Sequence, residues 1–500
     1  MQKKNVLKSV VLIVLMLVIV VGCSSANTND SQPDAPAASN TGKETVQPDE
    51  KPQEVALSMW SRWPGPMEDM MKETITEFEQ AYPHIKVELA SAAPDQYVAQ
   101  LQTAIAGENL PDIFAAHPTV PVYQLHELDQ LLPLSDVIGD RIHEFEQGSL
   151  VEGTTQMNGE VYALPIMSSK KDGFVMYYNM DVLEKAGLTE ADVPKTWEEL
   201  IKVSEQVVAA TNRESYGLLY GLKSSWLVGL VAQTMGSEIS PEVLPFTHMN
   251  PTNGHYELNR PGIVETLEFF KDMVDAKLVH PNSLVITAQE ASSLFVSGQA
   301  AFLFDGAWRA AEFVGMDFVD FGVEFLPTKS GGQQYIEFTG NLAAGLHASK
   351  HTKHPEEVGV FLRYFMDKYY PKIVNAGVQY SPMPTINEAA TMPHELLKKT
   401  LQIQNEQFVP SPDAIMVNQN AVAVYSEASG KKPKETIGTI MEGYLSGQIS
   451  DLAGTLQKLS DETQKAHEDA IAKVKQEGLE VDVSDWVFPN WTPLVPYEAQ

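Results

Sequence analysis

The sequence predicts an α/β protein made of two units, each a sheet flanked by helices. Segments with the patterns of strands and helices alternate from residue 55 onward, which is typical of sheets wrapped by helices. The alternation changes near residue 158 and then begins again. Residues 55–500 are also too many for one typical hydrophobic core, so two domains are expected.

The first unit alternates strands with helices over about sixty residues. Residues 55–60 form a short apolar strand, and apolar residues at helical spacing over 67–82 predict a helix. Residues 85–89 alternate apolar and charged side chains, as a half-buried strand does. A second helical face covers 97–105, and 111–114 is another short strand. This order predicts a parallel sheet with helices on its faces.

The second unit begins after a hairpin. Asn158-Gly159 is a strong signal for a two-residue turn. Residues 175–178 follow as a strand, and Asp181 is predicted to cap a short helix. Thr196 is expected to be the N-cap of the next, longer helix.

The N-terminus has the pattern of a secretory signal over residues 1–22. Three lysines precede an apolar run over 10–21, which is shorter than the eighteen or more residues expected of a spanning helix. Cys23, the only cysteine, follows at the expected cleavage point, and this arrangement resembles the lipobox of bacterial lipoproteins. The alternative is a stray buried cysteine after an ordinary cleavage site. One cysteine excludes an internal disulfide framework and a cysteine-rich metal site.

Residues 23–54 are predicted to be the lipidated cysteine and a disordered tether, since Ser, Asn, Pro and acidic residues dominate them. The formal net charge of the chain is −31, and loss of the three signal lysines would make it more negative. Such a charge disfavours nucleic acid and anionic membrane surfaces as partners.

Five further segments resemble one family. The match is with the extracellular solute-binding proteins of carbohydrate ABC importers, the group that includes maltose-binding protein. None of the segments contains a catalytic group, but they occur in the family's order behind a lipobox. The segments are 97–114 (YVAQLQTAIAGENLPDIF), 158–165 (NGEVYALP), 177–188 with 194–200 (YYNMDVLEKAGL and PKTWEEL), 295–308 (FVSGQAAFLFDGAW) and 445–448 (LSGQ).

This resemblance implies a two-lobed periplasmic-binding-protein-like fold of type II, with a hinge between the lobes. It implies one lobe over 55–166 plus 334–372 and the other over 167–333 plus 373–500. It further implies a carbohydrate, in particular an oligosaccharide, bound in the cleft, and delivery to ABC permease subunits. A monomer, lipid-anchored on the extracytoplasmic face of the cell membrane, is expected. The Pro- and Trp-rich tail over 486–497 departs from the common pattern.

The end of the first strand supplies candidate ligand-binding residues. Trp60, Ser61 and Arg62 lie where the chain leaves that strand, and open α/β sheets place ligands at the carboxyl ends of their strands. An aromatic face and a guanidinium suit a saccharide. The alternative is a core tryptophan and a surface arginine. Trp197 begins a helix and is assigned to packing.

Other candidates depend on the family resemblance. Trp308 occupies the family's Gly-x-Trp position, where the ring stacks on ligand, and Asp305 is expected to accept a sugar hydroxyl. Trp226 and His117 match ligand-facing positions by approximate alignment. Asn341 is predicted to begin a strand that returns to the first lobe. Its side chain could face the cleft and bind ligand, or the residue could serve only to form a turn.

A lipid-anchored carbohydrate-active enzyme is the main alternative function. Paired carboxylates are required for glycoside hydrolysis, but 66 acidic residues make chance pairs uninformative. Zincin, G-x-S-x-G, P-loop and G-x-G-x-x-G patterns are absent from the sequence. No calcium loop is found either, so neither a metal nor a cofactor is predicted. An adhesin or scaffold is disfavoured by the α/β alternation. If the chain is a binding protein, its ligand could also be a peptide, a polyamine or an ion. The aromatic residues among the candidate ligand-binding residues favour a carbohydrate.

Overall fold

A computed structural model describes residues 54–497, except 64, 93, 118–119, 147, 152–153, 172 and 339–344. The predicted signal, Cys23 and nearly all of the tether lie outside the described residues. Among the helices described, none is both long and apolar enough to span a bilayer.

The first sheet contains five strands within the described residues. Three neighbouring strands run parallel, as predicted. A fourth joins them antiparallel, and a fifth pairs antiparallel with the fourth, so the fifth has the direction of the first three. In spatial order the strands are Ile85–Ser91, Val55–Ser61, Ile113–Ala115, Gly345–Ala348 and Leu164–Pro165. The sheet therefore receives a strand from far along the chain, so the chain returns to it after leaving.

Helices cover the faces of this sheet and complete a first hydrophobic core. Phe78 and Phe361, for example, meet edge to face with their ring centroids 5.0 Å apart. The helices are Pro66–Ala81, Pro94–Ala106, Val122–Glu127, Ser135–Ile138, the 3-10 turn Gly139–Glu144, Pro355–Asn375 and Pro384–Ala389.

The second sheet contains four strands within the part of the chain described. In spatial order they are Phe321–Phe325, Phe174–Asn179, Ala300–Gly306 and Tyr216–Leu219. Phe174–Asn179 runs antiparallel to both neighbours. This strand and Ala300–Gly306 are buried along their whole length. They therefore carry apolar residues continuously rather than alternately.

Helices and short turns surround the second sheet. The longer helices are Trp197–Ala210, Ser225–Gly236, Pro261–Asp275, Glu395–Gln407 and Leu452–Gln476. The shorter ones are Met180–Lys185, Ala288–Val296, Arg309–Gly315, Ala421–Ser429 and Ile437–Leu445, with 3-10 turns at Glu190–Asp192, Pro281–Leu284, Ala414–Met416 and Val483–Trp486. Three small two-stranded ribbons pair Gln156–Met157 with Glu160–Val161, Met249–Asn250 with His255–Tyr256, and Ile336–Phe338 with Phe408–Pro410.

Most local predictions are confirmed, with one correction. Asn158 and Gly159 both have positive φ, 53° and 81°, as the predicted hairpin turn requires. Thr196 caps its helix in a capping box with Glu199. The short helix, however, is capped by Asn179, whose side chain accepts from the Val182 amide at 3.1 Å. Asp181, predicted as the cap, lies in the first turn instead, where its charge favours the helix dipole.

Trp197 is a packing residue, as predicted. It is buried and stacks on Phe269, with the ring centroids 4.6 Å apart, while its indole N–H donates to the Pro327 carbonyl at 3.1 Å.

Pairs of glycines fix the helix Ser225–Gly236 closely against its neighbours. A Cβ added to Gly236 would lie 2.3 Å from the Gly262 carbonyl oxygen, and one on Gly229 would lie 2.8 Å from the Gly438 amide nitrogen. Backbones approach this closely only where side chains are missing. The helix that carries Trp226 in its first turn is therefore held rigidly from two sides.

The chain passes between the two sheets more than once. It leaves the first sheet after Leu164–Pro165, enters the second at Phe174–Asn179 and returns for Gly345–Ala348. Helix Pro355–Asn375 belongs to the first core, whereas Glu395–Gln407 packs on the strand Phe321–Phe325 of the second sheet. The residue boundaries of the two lobes remain a prediction.

Candidate functional site

A cavity of about 900 Å³ lies between the first sheet and helices and turns from the second part of the chain. One side is lined by residues that follow or belong to the first sheet, namely Ala116, His117, Val120, Val122 and His347. The other side carries many aromatic rings from the second part of the chain, namely Trp226, Phe246, Tyr256, Phe338, Tyr425, Trp486 and Phe488. The two sides also touch directly, because Tyr123 packs against the cluster that contains Val422 and Trp486.

A buried acid and a buried arginine hold one wall of the cavity. The Glu337 carboxylate accepts from the amides of Phe246 and Thr247 at 2.9 and 2.6 Å. Arg260 donates to the Pro245 carbonyl at 2.9 Å and to His248 Nδ1 at 2.9 Å. Burial raises the pKa of Glu337 although these amides favour its charged form. Both groups therefore orient the segment that presents Phe246 and His248 to the cavity.

Two of the predicted tryptophans stack on each other, but Trp308, unlike Trp226, is not among the residues that line the cavity. Trp226 is 60% exposed and lines it. Its ring stacks on Trp308 with the centroids 6.3 Å apart and the planes 19° apart. Trp308 is partly buried and meets Phe174 edge to face at 6.2 Å. Trp226 thus offers a free ring face, and Trp308 supports it from behind.

The family's Gly-x-Trp pattern has a steric explanation here. The Trp308 ring lies directly over Gly306, since a Cβ added to that glycine would come within 2.1 Å of the ring. Any side chain at position 306 would therefore displace Trp308 and, with it, the support for Trp226.

Asp305 does not have the position expected of a ligand-binding residue. Asp305 is completely buried and does not line the cavity. Its carboxylate accepts hydrogen bonds from the Gly306 amide at 2.7 Å and from Arg309 Nε at 3.1 Å. Arg309 in turn donates to Glu312 at 2.5 Å. Because its oxygens face protein donors, the expected role as a sugar-hydroxyl acceptor does not fit. Asp305 instead holds the turn that carries Trp308.

The cluster at the end of the first strand serves the cavity indirectly. Ser61 is fully buried, and its hydroxyl accepts from the Trp63 amide at 3.3 Å, so direct ligand contact does not fit this residue. Trp60 is partly buried against the first core. Arg62 lies over the Trp63 ring and donates to the Ala116 carbonyl at 2.7 Å. Arg62 therefore braces the segment leading to His117, which does line the cavity.

Asn341 lies outside the described residues, so its predicted role stays a prediction.

The inner wall of the cavity consists of residues that the sequence did not single out. The Trp486 indole N–H donates to the Tyr425 hydroxyl at 3.1 Å, and that hydroxyl donates to Asp413 at 3.1 Å. His467 lies beside Trp486. Only the unusual tryptophan content of the tail pointed to this wall. Nothing local in the sequence indicates that the tail folds back onto the helix Leu452–Gln476.

The different environments of the tryptophans give a testable prediction. Trp226→Ala should change the free energy of unfolding of the sugar-free protein by less than about 1.5 kcal/mol, because the ring is largely solvated and loses mainly one stacking contact. Trp60→Ala should cost more than about 2 kcal/mol, because that ring packs on the first core. Denaturant unfolding of both variants measures this. A larger loss in Trp226→Ala would place Trp226, not Trp60, in the core.

Comparisons with known proteins agree with this architecture. A family model described as bacterial extracellular solute-binding protein matches residues 63–368. The maltodextrin-binding protein MdxE of Bacillus subtilis (strain 168) is 26% identical over 383 residues, covering 68% of this chain and 84% of the relative. The arabinooligosaccharide-binding protein of the same organism is 25% identical over 375 residues, covering 72% of this chain and 77% of the relative.

Solved structures with the same fold include sugar receptors. The GacH receptor of Streptomyces glaucescens GLA.O, solved unliganded and with acarbose, has a TM-score of 0.62 at 18% identity, covering 85% of this chain and 99% of that one. The sugar-binding protein MalE from Xanthomonas citri has a TM-score of 0.58 at 19% identity, covering 85% and 100%. These likenesses confirm the predicted fold, the maltose-binding-protein-like type II arrangement.

Proposed function

Because this chain belongs to the bacterial extracellular solute-binding protein family, we propose that it captures an oligosaccharide outside the cytoplasm and delivers it to the permease subunits of an ABC importer. Its relatives among maltodextrin- and arabinooligosaccharide-binding proteins support a carbohydrate ligand. Binding as a monomer is part of the proposal.

The observation that carries this proposal is the aromatic cavity between the first sheet and the second part of the chain. Its volume of about 900 Å³ lies at the upper end of the range for small-molecule sites, about 300–1,000 Å³. Sugar rings present flat C–H faces that pack on aromatic rings, and their hydroxyls bond to polar groups at the edges. The exposed face of Trp226 offers such a platform.

Binding without turnover fits the carboxylates of the cavity better than hydrolysis does. A glycosidase needs one carboxyl group as acid and another as base or nucleophile, both directed at the scissile bond. Glu337 accepts from two backbone amides, and Asp413 accepts from the Ile415 amide and the Tyr425 hydroxyl. These two carboxylates are thus used to hold the protein's own structure, which leaves Glu435 as the one further carboxylate among the lining residues described, whereas hydrolysis needs a pair.

This proposal is tested by asking whether a bound sugar is recovered chemically intact after incubation with the protein. The purified chain is incubated for hours with neutral linear maltooligosaccharides and arabinooligosaccharides, and the mixture is then separated by chromatography. A sugar that raises the melting temperature should be recovered intact. The expected stabilisation follows RT ln(1 + [L]/Kd). Shorter products that accumulate with time would support the enzyme alternative instead.

We also propose that Cys23 carries the lipid anchor and that the segment after it tethers the protein to the outer face of the cell membrane. The basic and apolar run before Gly22-Cys23 supports this proposal. Cys23→Ala should abolish lipid labelling and release the protein or leave it unprocessed, because only the thiol can accept the lipid. A Cys23→Ala protein that stays lipid-labelled in the membrane fraction would contradict the assignment.

A further inference from the structure

Three connections between the two sheets meet beside the last turn of helix Glu395–Gln407. This turn carries two fully buried glutamines, Gln404 and Gln407, and their side chains contact all three connections. In chain order, the connections lie at residues 166–173, 326–344 and 376–394.

Gln404 joins the first connection to the third. Its amide nitrogen donates to the Lys170 carbonyl at 3.1 Å and to Gln379 Oε1 at 2.8 Å. Its amide oxygen accepts from the Gly173 amide at 3.3 Å. Both donor hydrogens and the acceptor oxygen of this side chain are therefore used, and each partner lies in a connection.

Gln407 joins the second connection to the end of the first. Its oxygen accepts from the Phe174 amide at 3.1 Å, and its nitrogen donates to the Phe174 carbonyl at 2.6 Å. The same nitrogen donates to Gln334 Oε1 at 3.3 Å. Phe174 is the first residue of its strand, so Gln407 fixes the point at which the chain enters the second sheet.

Gly173 lets the two glutamines approach the first connection. A Cβ added to Gly173 would lie 2.6 Å from Gln404 Cγ and 2.9 Å from Gln407 Oε1. Real Cβ atoms do not approach other atoms so closely, so a side chain at position 173 would push both glutamines away. The packing of this residue therefore depends on glycine.

We propose that Gln404 and Gln407 are positioning residues that hold the two sheets in the arrangement that encloses the cavity. The inference rests on the proposed function and adds to it that these residues set the affinity for sugar. Neither glutamine lines the cavity, so neither acts by touching the ligand. In the arrangement described, the two sides of the cavity touch through Tyr123.

The physical reason lies in how two packed units reorient. Hinge motions are absorbed by a few residues in the connecting segments, whose backbone dihedral angles change. Hydrogen bonds from one helix to all three connections restrict these changes. If the bonds are lost, other arrangements become more populated. The apparent dissociation constant equals the intrinsic one divided by the fraction of the protein in the binding arrangement, so binding weakens.

Two variants and a matched control test this role. Gln404→Leu removes three of the bonds. Gln379→Leu removes only the bond between Gln404 and the third connection, and it decides the test if Gln404→Leu does not fold. Gln130→Leu is the control, because Gln130 is also buried but donates to the nearby Leu128 carbonyl, outside the connections.

Each protein is measured by small-angle X-ray scattering and by isothermal titration. The radius of gyration is determined without sugar and at saturation, on chains with the same ends. The titrations use maltooligosaccharides and arabinooligosaccharides of increasing length. A residue with only a packing role would change the melting temperature but neither the sugar-free radius of gyration nor the affinity.

We expect Gln404→Leu to have a larger radius of gyration than the parent without sugar and the parent's value at saturation. Its affinity should be about three- to tenfold weaker, by the same factor for every sugar length, because the residue contacts no sugar. Gln379→Leu should change both quantities in the same direction, with affinity weaker by about two- to threefold. Gln130→Leu should leave both near the parent's values.

The results that would overturn the inference are distinct from those that would refute the proposed function. An unchanged radius of gyration and affinity in Gln404→Leu and Gln379→Leu would leave the glutamines with a packing role alone. Tighter binding would show that they oppose the binding arrangement. A parent chain that binds no sugar of either series would refute the proposed function, whereas scattering from the sugar-free variants tests the positioning role separately.

Discussion

Arg309→Met is expected to lower the free energy of unfolding by about 3–5 kcal/mol, because it leaves a buried carboxylate without its cation. Arg309 and Asp305 are both buried and lie 3.1 Å apart. After the substitution, the Gly306 amide is the remaining donor described for Asp305. Denaturant unfolding with an unchanged m-value measures the loss.

The pH dependence of this loss has a definite sign. Burial already raises the pKa of Asp305 to about 6 in the presence of Arg309, above its ordinary value of 3.8. Without the cation the pKa rises further. A carboxyl whose folded pKa is raised is favourable when protonated and becomes costly as the pH rises through that pKa. The deficit of Arg309→Met should therefore be smaller at pH 5 than at pH 7.5.

Lys271→Met is the matched control for Arg309→Met. Lys271 and Asp275 also form a pair four residues apart, but Asp275 is exposed to solvent. Exposed pairs contribute about 0–1 kcal/mol. Equal losses in the two variants would show that the Asp305–Arg309 pair is not buried as described.

Trp486→Ala should destabilise the protein by about 3–5 kcal/mol, the range for a tryptophan removed from a core. Trp486 is 1% exposed and packs edge to face on His467 and Tyr425. The tail that contains it is therefore part of the folded body. Val483→Ala is a control in the same 3-10 turn, since Val483 is 42% exposed and should change stability by less than about 0.5 kcal/mol. A Trp486→Ala variant as stable as Val483→Ala would mean that the tail is not docked.

The local elements could be predicted because each has its own sequence signal. The capping box at Thr196 and the turn at Asn158-Gly159 depend on residues within a few positions, so the sequence predicts both, and the structure contains both. Among the predicted caps and turns, one is wrong: the sequence predicts Asp181 as the N-cap of the short helix, whereas the N-cap is Asn179, two residues earlier. Both side chains can accept from a helix N-terminus, so composition alone does not separate them.

The position of Asp305 could not be read from the sequence for a physical reason. Its strand, Ala300–Gly306, is buried on both faces, so no alternation of polar and apolar residues shows which way a side chain points. Arg309, four residues later, was the available signal for an internal pair. The buried position of Ser61 is hard to predict for a related reason, because a small polar residue at a strand end fits both a core and a cleft.

The inner wall of the cavity depends on contacts between distant parts of the chain. His467, Tyr256 and Trp486 come from three separate segments, and helical periodicity around His467 predicts a buried face without naming what it faces. The sequence predicts both Trp226 and Trp308 as ligand-binding residues, but their stacking arises from the packing of a helix against a strand. Sequence patterns identify candidate aromatic residues, but which of these residues lines the cavity depends on the fold.

Isothermal titration of the purified chain with maltooligosaccharides and arabinooligosaccharides tests the central claim most directly. We predict saturable binding of one sugar per chain, weakened in Trp226→Ala by an amount on the order of 1–3 kcal/mol, as for other aromatic anchors. The melting temperature of the sugar-free variant should stay near that of the parent. Absence of binding to every sugar, or an unchanged affinity in Trp226→Ala, would contradict an oligosaccharide held in the aromatic cavity.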